Sequence, residues 1–253
     1  MTNTRKTLAA IMAVALVLIA IALWFARPGP GAPPGTPPLA RGGRVIGSMR
    51  SDASSYDRYV ANSAATDLVT ILTQAPLVRV NRATDELEPW LAERWTTSPD
   101  GLTHTLTLRA MTFSDGVPFT SADVLFAFEA IYDPRVNSPL NSSLQIDGQP
   151  LRVSAPDAAT VVVTFPAPFG PGLRILDNLP ILPKHKLAAA LAGGTLSEHW
   201  TPGQPLDTVA GLGPFMLSEH VSGERMEFVR NPHYFRRDAQ GTPLPYLDGL
   251  TMV

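Results

Sequence analysis

Between residues 102 and 109 the chain alternates. Leu102, His104, Leu106 and Leu108 fall on one side, and Thr103, Thr105, Thr107 and Arg109 on the other. That period of two predicts a half-buried strand, a conformation that β-branched threonine favours. Further on the period changes. Thr120-Ser121-Ala122-Asp123 precedes Val124, Leu125, Phe128 and Ile131 at helical spacing. Thr120 is placed to accept from the first free N–H groups, and Asp123 to meet the positive end of the helix. Tyr132-Asp133-Pro134 ends that helix, because proline cannot continue it.

The same reading extends along the chain. Residues 44–49 form a short strand, and residues 50–57 a polar loop. Residues 59–73 place Val60, Ala64, Leu68, Ile71 and Leu72 near one helical face, and residues 77–80 are extended again. Residues 151–153 and 160–165 read as two strands joined by a turn, and residues 188–192 end a helix with Gly193-Gly194 as its stop. The expected core comprises Val45, Ile46, Leu68, Leu72, Leu91, Trp95, Leu106, Leu108, Val124, Leu125, Phe128, Val162, Phe215 and Leu217. Trp90 and Trp95 are read as packing residues, with a place beside a cleft as the alternative.

Composition narrows the class. The 253 residues suffice for one large or two modest domains, and 25 prolines argue against an all-helical bundle. A net charge of −2 implies no polyanionic partner, and no basic run with interleaved aromatics suits nucleic acid. The absence of cysteine excludes disulfides, thiolate metal sites, a cysteine nucleophile and a lipidated cysteine.

The N-terminus points outward. Arg5 and Lys6 precede an uncharged apolar run over residues 7–26. As a helix it would reach roughly 30 Å, about one hydrocarbon core, with the basic side in the cytoplasm and the rest exported. Two readings stand: an uncleaved membrane anchor and a cleaved signal peptide, the run ending without a clean small-residue cut site. Residues 27–43 are rich in Pro and Gly and predict an extended spacer.

One block carries a resemblance. It contains Pro89-x-Leu91-Ala92-Glu93-x-Trp95, then Ser98-x-Asp100-Gly101, Leu106-x-Leu108-Arg109, and Phe113-Ser114-Asp115-Gly116-x-Pro118-Phe119-Thr120-x-Ala122-Asp123-Val124. In this order it resembles the signature of the family 5 extracellular solute-binding proteins, the peptide and nickel receptors of ABC importers. Ala210-Gly211-Leu212-Gly213-Pro214-Phe215 resembles the family's "G-T-G-P-Y/F" segment, with Leu212 where Thr is usual. Pro183-Lys184-His185, Gly223-Glu224-Arg225, Arg230-Asn231-Pro232-x-Tyr234 and Leu244-Pro245-Tyr246-Leu247-Asp248 resemble later steps.

The resemblance implies an α/β fold: a lobe of the type II periplasmic-binding-protein kind, with a mixed sheet, flanking helices and a small α+β subdomain. Residues 44–253 would be the N-terminal part of the solute-binding domain, the subdomain covering about residues 76–182 and a second lobe lying beyond. The implied partners are a peptide or other small solute, a permease–ATPase complex, and the membrane through the N-terminal segment. It also implies that the loop after the first strand opens onto the ligand cleft. Ser54, Ser55 and Asp57 fit that place, with turn and cap roles as the alternative, and Gly211, Leu212 and Gly213 are the other candidates.

No enzyme is expected. The chain has no G-x-S-x-G turn, no P-loop and no H-E-x-x-H helix, and Gly211 and Gly213 lack the dinucleotide-loop context. No cofactor and no metal are expected. His185 is read as a surface or capping histidine rather than a ligand. A lobe built to meet another lobe is expected to leave apolar surface bare.

Overall fold

The computed structural model describes residues 40–253, so the expectations for residues 7–26 and most of the spacer fall outside the described residues. Residues 41–253 form one compact unit. No helix among the described residues is long and apolar enough to cross a membrane.

Two four-stranded sheets carry the fold. The first contains β1 (Arg44–Gly47), β10 (Phe215–Val221), β11 (Arg225–Arg230) and β12 (Gly249–Met252), in the order β1-β12-β11-β10. β1 and β12 are parallel, and the other pairs antiparallel. The second is antiparallel throughout, ordered β4 (Ala92–Thr97), β5 (Thr103–Leu108), β9 (Thr160–Thr164) and β8 (Arg152–Asp157). Two short pairs complete the strands: β2 (Val78–Val80) with β3 (Leu87–Pro89), and β6 (Gln145–Ile146) with β7 (Gln149–Pro150). Among the described residues three α-helices flank them: α1 (Ala64–Thr73), α2 (Ser121–Tyr132) and α3 (Lys184–Gly193). The expected mixed α/β architecture is what the chain forms.

The local signals explain most elements. β5 buries His104, Leu106 and Leu108 and leaves its threonines half-buried, as the alternation predicts. At the start of α2, Asp123 receives the Thr120 backbone N–H at 2.9 Å, closing a capping box. Its other oxygen accepts the Lys184 N–H at 3.0 Å, so one carboxylate also fixes where α3 begins. α3 ends on Gly194 in the left-handed region at φ 73°, its N–H returning to Ala190 and Leu191.

Packing corrects the core list in two places. Val45 and Ile46 are 47% and 73% exposed, because among the described residues β1 is an edge strand paired only with β12. In α1 the buried face is Ala65, Thr66, Val69, Thr70 and Thr73, so Val60, Ala64, Leu68, Ile71 and Leu72 do not form it. Two of those threonines go inside because their hydroxyls donate to backbone carbonyls, Thr66 to Ser55 at 2.9 Å and Thr73 to Val69 at 2.8 Å. The displaced Ile71 is 70% exposed. Leu68, Leu72, Trp95, Leu125 and Val162 are half-buried, the inward positions of β9 being Val161 and Val163. Leu91, Leu106, Leu108, Val124, Phe128, Phe215 and Leu217 are buried as expected.

Candidate functional site

The carboxyl end of α1 is held by glycine. A Cβ on Gly211 would lie 1.8 Å from the Thr73 carbonyl oxygen, and one on Gly213 2.6 Å from that of Leu72. With no side chain in the way, the Gly213 N–H donates to the Thr73 carbonyl at 2.9 Å. Gly211 also exchanges two bonds with Ser114: its N–H reaches Ser114 Oγ at 3.1 Å, and the Ser114 N–H returns to its carbonyl at 2.9 Å. The Asn231 side chain, buried, donates to the Gly213 carbonyl at 2.8 Å. Three motifs far apart in sequence thus converge on one helix end.

What they hold there is a concave wall. A cavity of about 370 Å³ opens beside α1, lined among others by Thr70, Ile71, Gln74, Arg79, Trp90 and Tyr234. Thr70 and Gln74 are 6% and 5% exposed. The Thr70 hydroxyl and both polar atoms of the Gln74 amide have no hydrogen-bond partner among the described residues. Buried polar groups are nearly always paired, so two such residues in one cavity are informative. The Gly211 backbone also leaves room for the amide, since a Cβ there would come 3.2 Å from Gln74 Nε2.

The rest of the lining is aromatic and cationic. The Arg79 guanidinium lies 4.7 Å from the Trp90 ring centre and that of Arg236 4.5 Å, within cation–π range. Arg58 pairs with Asp67 at 3.0 Å and Arg82 with Asp177 at 3.1 Å, whereas Arg79 makes no ion pair among the described residues. Burial raises the Tyr234 phenol, opposed by the positive charges of Arg236 and Arg79.

The residues singled out in the sequence are not among those lining this cavity. Ser54 is exposed. Ser55 is buried; its hydroxyl donates to the Trp200 carbonyl at 3.4 Å and accepts the Asp57 N–H at 3.1 Å. Asp57 is buried and accepts the Tyr59 N–H at 2.8 Å, which is turn geometry. Burial pushes its carboxyl up to about 7, against the lowering effect of that hydrogen bond. Leu212 is a core side chain, and Gly211 and Gly213 act through backbone contacts. Thr70, Gln74, Arg79 and Tyr234 are the residues that sequence reasoning missed. No signal in the sequence marks them, since the exposure of Ile71 beside them appears only in the folded chain.

Two other clusters are polar but small. Asp52 accepts His220 Nε2 at 2.6 Å, the Ser222 hydroxyl at 2.7 Å and the Gly223 N–H at 2.9 Å. His220 Nδ1 lies 2.6 Å from the Tyr56 hydroxyl. Burial would raise Asp52, but the bonds from Ser222, Gly223 and His220 prevail and lower it. In the second cluster His185, an exposed residue, has its Nε2 2.8 Å from Asp115, in the turn that carries Ser114. Among the described residues no group of three or more His, Asp or Glu could hold a metal.

The model of the bacterial extracellular solute-binding proteins, family 5 Middle, matches residues 86–253. A probable ABC transporter-binding protein of Deinococcus radiodurans is 30% identical over 215 residues, covering 81% of this chain and 36% of that protein. The probable D,D-dipeptide-binding periplasmic protein DdpA of Escherichia coli is 31% identical over 158 residues, 61% of this chain and 28% of its own length. Among solved structures, Helicobacter pylori DppA in complex with the peptide STSA superposes with a TM-score of 0.68 at 26% identity, over 84% of this chain and 43% of that one. The periplasmic binding protein MelB of Agrobacterium fabrum, in complex with stachyose, shares the fold at a TM-score of 0.73 and 23% identity, over 84% of this chain and 34% of its own. The chain thus spans about a third of the length of the curated relatives it matches, and the fold is that of the type II periplasmic binding proteins. It belongs to the bacterial extracellular solute-binding proteins of family 5.

Proposed function

We propose that these residues form one wall of a solute cleft in the extracytoplasmic binding component of an ABC importer, and that the solute is a di- or oligopeptide. The observation that carries the reading is the cavity beside α1. Its lining combines an exposed apolar residue, Ile71, with the Trp90 and Tyr234 rings and the Arg79 guanidinium. Such a mix of apolar lining and a few placed polar groups is what small-ligand sites present. Peptide is favoured because relatives carry peptide-binding names and DppA holds a peptide.

In this reading the solute is gripped between this wall and a facing lobe. Contacts made to both walls at once favour the closed arrangement, and that differential affinity is what a permease and its ATPase would read. The protein does no chemistry on its cargo. Residues 7–26 serve to place it outside the cytoplasm, as an anchor or a cleaved signal. Ser54, Ser55 and Asp57 shape the loop leading to Arg58, which borders the cavity.

Isothermal titration of the intact binding protein, this wall together with its facing lobe, with di- to nonapeptides tests this. Saturable peptide binding is expected, with none for stachyose or nickel–histidine. Binding of either of those in place of peptide overturns the peptide assignment, and binding of none overturns the cleft.

A further inference from the structure

Positive charge collects where Trp90 and Phe235 meet. We propose that Arg79, Arg109 and Arg236, carried on these two rings, form an oxyanion site, and that the cavity they border prefers solutes of net negative charge. The anion contact stands on these residues alone. The preference among solutes rests on the cleft reading above.

The rings come first. Trp90 and Phe235 meet edge to face at 5.6 Å, and Tyr234 packs on Phe235 at 5.2 Å. The Arg79 and Arg236 guanidiniums lie over Trp90, 4.7 and 4.5 Å from its centre, and that of Arg109 lies over Phe235 at 5.1 Å. A guanidinium resting on a ring engages its face and keeps its N–H edge for another acceptor. Arg109 uses one of those donors locally, its Nε–H reaching the Trp90 carbonyl at 3.2 Å. Arg79 is exposed, so its edge is open to an incoming group.

No acid follows the three cations. Among the described residues none of them lies within ion-pair distance of a carboxylate, whereas Arg44, Arg58, Arg82, Arg174 and Arg230 each have one. The acid opposite Arg79 in the β2–β3 register is Glu88, and it is taken by Asn81, whose side-chain amide donates to it at 2.7 Å. The imbalance runs into the cavity, where Arg58, Arg79 and Arg82 stand against one acid, Asp177, among the lining residues. The whole chain carries a net charge of −2, so this excess is local. A concave wall lined by one sign of charge concentrates its field and draws in the opposite sign. A carboxylate or phosphate offers several acceptor lone pairs in a geometry that the N–H edges of arginine match.

The test is titration calorimetry on the intact binding protein at fixed ionic strength in sodium chloride, with inorganic phosphate, glutarate and the neutral glutaramide as probes. Saturable binding of phosphate or glutarate is expected, and none of glutaramide; which anion binds tells a tetrahedral from a planar group. Arg79→Gln and Arg236→Gln should each weaken it by about tenfold, the scale of a hydrogen bond to a charged group. Arg50→Gln, an exposed cation in the loop after β1 that does not line this cavity, should leave it unchanged. If a glutamine variant melts early by circular dichroism, Arg79→Lys replaces it; it keeps the charge, loses the planar fork and should still weaken binding. Binding of neither anion, or equal losses in Arg79→Gln and Arg50→Gln, overturns the site. Peptides that bind with no difference between glutamate-rich and lysine-rich sequences overturn the charge preference and leave the cleft standing. Anion binding without any peptide binding overturns the cleft and leaves the anion site standing.

Discussion

Gly211 packs its backbone directly against Thr73, so closely that a Cβ would lie 1.8 Å from the threonine carbonyl oxygen. Neither partner is a flexible side-chain tip, so nothing cheap can move aside. Gly211→Ala should therefore destabilise the chain by about 3 kcal/mol, the upper end of overpacking costs. Gly170→Ala, which meets nothing within 4 Å, should stay within about 0.5 kcal/mol of wild type. Urea melts of the two variants check the contrast.

Asp57 sets a pH dependence. Burial raises its folded-state pKa to about 7, well above the roughly 3.9 of an unfolded aspartate. A raised folded pKa means that the native state holds the proton more tightly. Its favourable contribution is complete below the unfolded value and lost as pH climbs through the folded one. Each unit of that window is worth about 1.4 kcal/mol. Wild type should melt higher at pH 5 than at pH 8. Asp57→Asn keeps an oxygen for the Tyr59 N–H and should flatten the difference. Equal slopes for the two proteins in pH-dependent melts would contradict the assignment.

Asp123 does two jobs, capping α2 through Thr120 and receiving the Lys184 N–H where α3 begins. Asp123→Ala should cost about 2 kcal/mol, the high end for a cap residue, because two helices lose a contact. Asp123→Asn, which retains an acceptor, should recover part of it. Chemical denaturation of both variants measures the difference.

The Asp52–His220–Tyr56 chain ties the loop after β1 to the β10–β11 hairpin. With Asp52 accepting from Nε2–H, Nδ1 is left to accept the Tyr56 hydroxyl proton. Burial first, and then the Asp52 charge, push the Tyr56 phenol up to about 12, so that proton stays in place through neutral pH. Tyr56→Phe should cost about 1–2 kcal/mol by leaving a buried ring nitrogen unpaired. Proton-detected spectra of the His220 ring should show the Nδ1 environment changed while the Nε2 proton persists.

Local chemistry was legible wherever a residue's fate depends on its near neighbours. The alternation of β5, the Thr120–Asp123 start of α2 and the Gly194 stop of α3 are of that kind, and all three are as read. Burial in α1 was not legible, because threonine enters a core when its hydroxyl finds a carbonyl, and that depends on Ser55 and on helix geometry rather than on hydropathy. Val45 and Ile46 misled for the converse reason: an apolar pair says nothing about whether its strand sits at a sheet edge. The cavity was hidden further still. Gln74 and Arg79 are ordinary polar residues in sequence, and only the tertiary arrangement leaves the one unpaired and the other unmatched. The glycines of the Gly211–Gly213 segment were noticed, but their work is to let a helix end approach.

Among the described residues β1 pairs with β12 alone, so Arg44 aligns with Gly249 and Gly47 with Met252. Roughly two hundred residues must leave the ribosome between the synthesis of the first strand and that of its partner, at about 5–20 residues per second. For some tens of seconds the opening strand has nowhere to dock, and closing so long a loop is slow in itself. The second sheet, whose pairings all lie between residues 92 and 164, can assemble well before then. Newborn chains should thus complete the second sheet first, and the β1–β12 pairing only after residue 252 has emerged.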